Sequence, residues 1–115
     1  MHLDIDCIRD ILLIAEKCTY NAPAYIRDVK TQLCNYFDND IAAACYELYN
    51  AGCIYAVIKR HTMDGTVVKQ IRGITPKGRK VLEKLNDSSI LNKVKKQLPG
   101  IALDALSLFI QQLLS

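Results

Sequence analysis

The residues best suited to chemistry in this chain are cations. Lys59, Arg60, Lys69 and Arg72 fall close together near its middle, and Arg79 and Lys80 follow. Lysine and arginine in such a run offer phosphate neutralisation, which supplies most of the sequence-independent affinity of a protein for nucleic acid. These six are the candidate nucleic-acid-binding residues, with duplex DNA as the partner. The net charge of +3 conceals their concentration. Residues 1–50 carry eight acids and four bases, a net of −4, whereas residues 51–115 carry eleven bases and four acids, a net of +7. One anion-seeking face is one reading of this asymmetry; a solvated basic helix surface is the other.

Other chemistry has little to stand on. His2 and His61 are the two histidines, and nothing near His61 orients it for a Cys–His dyad. The five glycines are dispersed, so no phosphate-cradling loop forms. The five cysteines, Cys7, Cys18, Cys34, Cys45 and Cys53, are odd in number and contain no Cys-x-x-Cys pair. They read as reduced, mostly buried small hydrophobes, with neither disulfide nor metal. The expectation is a protein that is not an enzyme and that has no cofactor, no metal and no small-molecule substrate.

The elements that must position the cations are legible around them. Asp38 is the expected N-cap of a helix over about 39–51, with Ile41, Cys45, Leu48 and Tyr49 as its buried stripe and Gly52 as its stop. Residues 53–60 and 66–74 are expected to pair as a hairpin, turning near Met63-Asp64-Gly65. Thr75 then caps a helix that has Pro76 at its first position. Upstream, residues 4–17 form a helix with Ile5, Ile8, Ile11, Leu12 and Ala15 on one side, and Leu13 falls among the polar positions. Residues 25–36 fit a short helix and a strand equally well, so an abbreviated version of both is expected there. Beyond Asn86 come a helix over roughly 89–97 and a last helix over 101–114 that is apolar over most of its circumference. Leu13 with Leu106, Phe109, Ile110 and Leu113 are the candidate interface residues, burying that helix against the first helix and against a second copy or a partner.

At 115 residues the chain is expected to be a single domain, with a core over about 1–85 and C-terminal helices over about 88–115. Its first residues lack a basic stretch, and Asp4, Asp6 and Asp10 interrupt the apolar ones. The apolar end is shorter than the roughly 20 residues that a membrane span requires. A soluble cytoplasmic protein with no membrane partner is expected.

Helix, glycine stop, strand, turn, strand and Thr-Pro helix start resemble the second half of a winged-helix domain. The stretch from Ile41 to Ile54 and the run Ile74-Thr75-Pro76-Lys77-Gly78 carry that likeness. The fold class is therefore α+β, a winged-helix-like domain with a two-stranded wing and a C-terminal helical extension. Over nearly its full length the chain also resembles a family of small bacterial and phage proteins catalogued as a domain of unknown function. The opening Leu3 to Leu13, the centre from Tyr36-Phe37-Asp38 to Ala51-Gly52-Cys53-Ile54, and Ile74-Thr75 with Gly78 carry that second resemblance. It implies no catalytic residues. Two functions follow as expectations. The first is a small accessory or regulatory protein acting as a protein-interaction module or homodimer. The alternative is a DNA-binding transcriptional regulator led by its wing, because residues 38–52 hold Asp38, Asp40 and Glu47 and no lysine or arginine.

Overall fold

Apolar residues at helical spacing set the first helix. Ile5, Ile8, Ile11, Leu12 and Ala15 are all buried, on the side away from Asp6 and Lys17. The computed structural model describes residues 2–3, 5–61, 65–97, 101–102 and 111. Among these, the element order is β1 (His2–Leu3), α1 (Ile5–Lys17), β2 (Ala24–Tyr25), α2 (Ile26–Gln32), α3 (Asp38–Asn50), β3 (Ile54–His61), β4 (Gly65–Ile74), α4 (Pro76–Asn86), α5 (Ser88–Gln97) and β5 (Ile101–Ala102). The fold is mixed α+β. Its main sheet is antiparallel, with strand order β2-β4-β3, and a second antiparallel pair joins β1 to β5.

The core forms where α1, α3 and α4 pack with the inner face of the sheet. Ile41, Ala44, Cys45 and Leu48 come from α3, and Val81, Leu82 and Leu85 from α4. Ile54, Val68, Ile71 and Ile74 come from the sheet. Each large side chain among them stabilises the fold by about 1.5–3 kcal/mol through burial. The ambiguous stretch after Pro23 resolves as both expected pieces: the two residues of β2 pair with Gln70 and Ile71, and α2 follows directly.

The link between hairpin and α4 depends on two glycines and one threonine. Gly52 takes φ +78°, a conformation that favours glycine, and turns the chain out of α3. The Thr75 hydroxyl donates to the Gly52 carbonyl at 2.5 Å and accepts from the Gly78 N–H at 3.0 Å. The Thr75 N–H donates to the Cys53 carbonyl at 3.1 Å. A Cβ at position 78 would lie 1.9 Å from that carbonyl oxygen, so only glycine lets α4 start this close to the base of β3.

Two sequence expectations need correction. Asp38 is the first residue of α3 and not its cap; Phe37 holds the cap position with no side-chain bond. Asp38 instead places its charge in the first turn, where the helix dipole favours it. The start of the expected last helix is extended: Ile101 and Ala102 pair with Leu3 and His2. Local periodicity does not register a backbone partner that comes from the opposite end of the chain. His2 accordingly sits in a strand. Of the remainder of 101–114 only Gln111, helical and exposed, is described; Leu106, Phe109, Ile110 and Leu113 lie outside the described residues.

Candidate nucleic-acid interface

β-Branched and aromatic residues dominate both strands of the hairpin, and alternation decides which of them face the core. Cross-strand partners share a face. Ile54 with Ile74, Ala56 with Ile71, and Ile58 with Val68 point inward. Tyr55 opposite Gly73, Val57 opposite Gln70, and Lys59 opposite Val67 point outward. Gly65, at φ +74°, begins the return strand, paired with His61; Met63 and Asp64 lie outside the described residues.

The register slips twice, and both slips fall on a cation. Val57 pairs with Gln70 and Ile58 with Val68, which leaves Lys69 as an extra residue. Tyr55 pairs with Gly73 and Ala56 with Ile71, which leaves Arg72 as another. A bulge of this kind bends its strand and re-aims the extra side chain. Lys69 projects into solvent. Arg72 lies over the Tyr20 ring, its guanidinium carbon 4.5 Å from the ring centre, a cation–π geometry. With the Gln70 amide oxygen turned toward it, Arg72 also donates from Nη2 at 3.0 Å and from Nε at 3.1 Å. Gln70 is the buried polar residue of the described chain, at 7% exposure.

A groove of about 440 Å³ lies beside Arg72, lined also by Tyr20, Tyr49, Ile54, Tyr55 and Ala56. Its rim is unusually aromatic for a solvent-facing surface: Tyr20 is 76% exposed and Tyr55 56%. Tyr25, opposite Gln70 on β2, extends the outer face.

The sequence-derived cations do not all meet. Lys59, Arg60 and Lys69 are exposed on the hairpin, but Lys59 and Arg60 are consecutive and point to opposite faces. Arg72 is half-buried at the groove. Arg79 and Lys80 are exposed on α4, and Arg79 pairs with Glu16 at 3.9 Å, an exposed contact of little energetic weight. Neither Ile54–His61 nor Gly65–Ile74 contains an acid. The tyrosines went unnoticed in the sequence because Tyr20, Tyr25 and Tyr55 sit far apart in it, and the bulges because nothing in local composition marks them.

Leu13 is half-buried against the core and lines a smaller cavity of about 190 Å³ with Ile14, Lys17, Cys18, Pro23 and Gln32 among its neighbours. Cys7, Cys45 and Cys53 are buried, Cys18 is half-buried with its thiol donating to the Ile14 carbonyl at 3.2 Å, and Cys34 is exposed. Burial pushes the Cys45 thiol up to about 12 and the Cys53 thiol up to about 11. Both therefore stay protonated and unreactive at neutral pH.

The chain matches the family described as "Hypothetical protein (DUF2513)" over residues 2–101. It belongs to that family. The DUF2513 match spans β1 through the first residue of β5, so it takes in the hairpin, both bulges and the groove. No curated protein and no solved structure matches the chain. Among the described residues, no helix is long and apolar enough to cross a membrane.

Proposed function

We propose that this protein is a nucleic-acid-binding accessory or regulatory protein that uses its fold as a winged helix, with α3 in the position of the recognition helix and the β3–β4 hairpin as the wing. Contact is led by the wing. The observation that carries this reading is the hairpin's charge: Lys59, Arg60 and Lys69 are exposed on two strands that hold no carboxylate. Phosphates meet no acid along the strands themselves. Helix α3 lacks lysine and arginine and has Asp38 and Asp40 in its first turn, so it cannot supply the arginine–guanine pairs that dominate groove readout. Binding is therefore sequence-tolerant. The test is titration of labelled duplex DNA at about 50 mM salt, where phosphate contacts are strong. Arg60→Ala with Arg72→Ala should weaken binding to unrelated sequences alike and flatten its salt dependence. No measurable affinity of the wild type for duplex at that salt removes the duplex reading.

A second reading, a homodimer or protein-interaction module, draws support from Leu13 and the cavity beside it. Sedimentation of the intact chain and of Phe109→Glu tests it. A dimer that the substitution dissociates supports this reading, and a monomer in both cases ends it.

A further inference from the structure

We propose that the groove at the base of the hairpin binds an unpaired nucleotide of a single-stranded nucleic acid, with its base stacked on Tyr55 and its phosphate held by Arg72. This rests on the nucleic-acid reading above and adds to it a site and a strand preference.

Three observations carry it. The first is the exposed aromatic rim. Tyr55 lies opposite Gly73 and rests its ring over that glycine, so close that a Cβ there would meet the ring at 3.6 Å, while 56% of the residue remains exposed to solvent. Solvent-facing rings on a sheet are the platforms on which bases stack, and stacking tolerates any base because every base has a π-face.

The second is the fixed guanidinium. Gln70 accepts from Nε and Nη2 of Arg72, and Tyr20 lies beneath its plane. Two of the five N–H donors are thereby used, and the others remain for an incoming oxygen. An arginine held on one edge and one face is pre-organised for an anion, so less of its freedom is lost on binding. Gln70 is thus a positioning residue, held on the central strand between Tyr25 of β2 and Val57 of β3.

The third is charge along the path. Lys59 lies on the same outward face as Tyr55, four residues along β3 and about 13 Å away. Lys69 projects from its bulge one strand over. A strand whose base enters the groove meets these cations with its neighbouring phosphates, and neither β3 nor β4 has an acid to oppose them. An acidic peptide would share the attraction to the cations but would draw no particular benefit from the exposed rings.

The experiment titrates a labelled oligothymidylate and a labelled duplex into the full chain at about 50 mM salt. The chain has no tryptophan, and three of its six tyrosines, Tyr20, Tyr49 and Tyr55, line the groove, so a change in tyrosine fluorescence that Tyr55→Ala diminishes reports on it. Tyr55→Ala should weaken single-strand binding by about fivefold to a hundredfold and leave duplex binding unchanged. Tyr55→Phe keeps the ring and should bind as wild type does. Lys59→Ala with Arg60→Ala should weaken both ligands. Thermal melts confirm that the exposed Tyr55 variants fold. Duplex binding without single-strand binding, or equal single-strand affinity for wild type and Tyr55→Ala, overturns the groove and leaves the wing reading intact. Displacement of the oligonucleotide by poly-glutamate at equal charge, with tyrosine emission unchanged throughout, reduces the face to a non-specific anion surface and also overturns it. Wild type binding neither nucleic acid ends both readings together.

Discussion

Helix α3 and the β3–β4 hairpin meet at Gly52 and present opposite chemistry to solvent. The helix has Asp38, Asp40 and Glu47 and no cation, while the hairpin has Lys59, Arg60, Lys69 and Arg72 and no acid in its strands. The helix has little freedom to do otherwise, because Ile41, Ala44, Cys45 and Leu48 turn one side of it into the core. The hairpin is anchored in the core from its base as far as Val68 and extends beyond it: Ile58, opposite Val68 on the inward face, is already 41% exposed. The difference teaches that the element expected to read a partner and the element equipped to hold one are separate here.

The comparison breaks most completely if the hairpin is detached from its anchor. Gly78→Ala forces a Cβ against the Cys53 carbonyl and pushes α4 off the base of β3. Overpacking against backbone of this kind should cost about 3 kcal/mol, measured by chemical denaturation, and nucleic-acid binding should fall with it.

Alkaline pH probes the buried thiol of each region. The Cys45 thiol belongs to α3 and the Cys53 thiol to the base of the hairpin, and burial raises both above the ordinary thiol value, to about 12 and about 11. Below pH 9 both states of the protein keep the protons, so stability is unaffected by these groups. Above it the unfolded chain releases protons that the folded chain retains, so stability falls as pH rises. Each fully engaged thiol contributes about 1.4 kcal/mol per pH unit. Melting temperature should drop progressively from pH 9 toward 11, and Cys45→Ala should flatten that slope relative to wild type.

A smaller effect is expected at the cap. Thr75→Ala removes the acceptor for the Gly78 N–H and the bond to the Gly52 carbonyl. The expected loss is about 1 kcal/mol, read from the denaturation midpoint, with the hairpin still paired. The smallest change sharpens the charge contrast. Asp38→Asn with Asp40→Asn should raise affinity for nucleic acid slightly and leave the salt slope unaltered, because no phosphate contact is gained.

Much of this architecture was legible in the sequence. Regular apolar spacing gave α1 and α3, Gly52 and the Asp64-Gly65 pair bracketed the hairpin, and Thr75-Pro76 marked the start of α4. These signals are local, and each acts within a few residues of where it is written. What stayed hidden depends on distant partners. The β1–β5 pair joins Leu3 to Ile101, and no local pattern announces it. The bulges at Lys69 and Arg72 arise from how β3 and β4 align, so the cations were visible as charges but their aim was not. The groove brings together Tyr20 from a turn, Tyr49 from a helix and Tyr55 from a strand, and only the fold makes them neighbours.

The most direct test of the account is to record amide chemical shifts of the full chain while adding an oligonucleotide. The account predicts that residues 54–61 and 65–74 respond together, with the largest changes near Tyr55, Lys69 and Arg72, while α3 stays nearly still from residue 38 to 47, ahead of the groove-lining Tyr49. Shifts concentrated in α3 with a silent hairpin would contradict it.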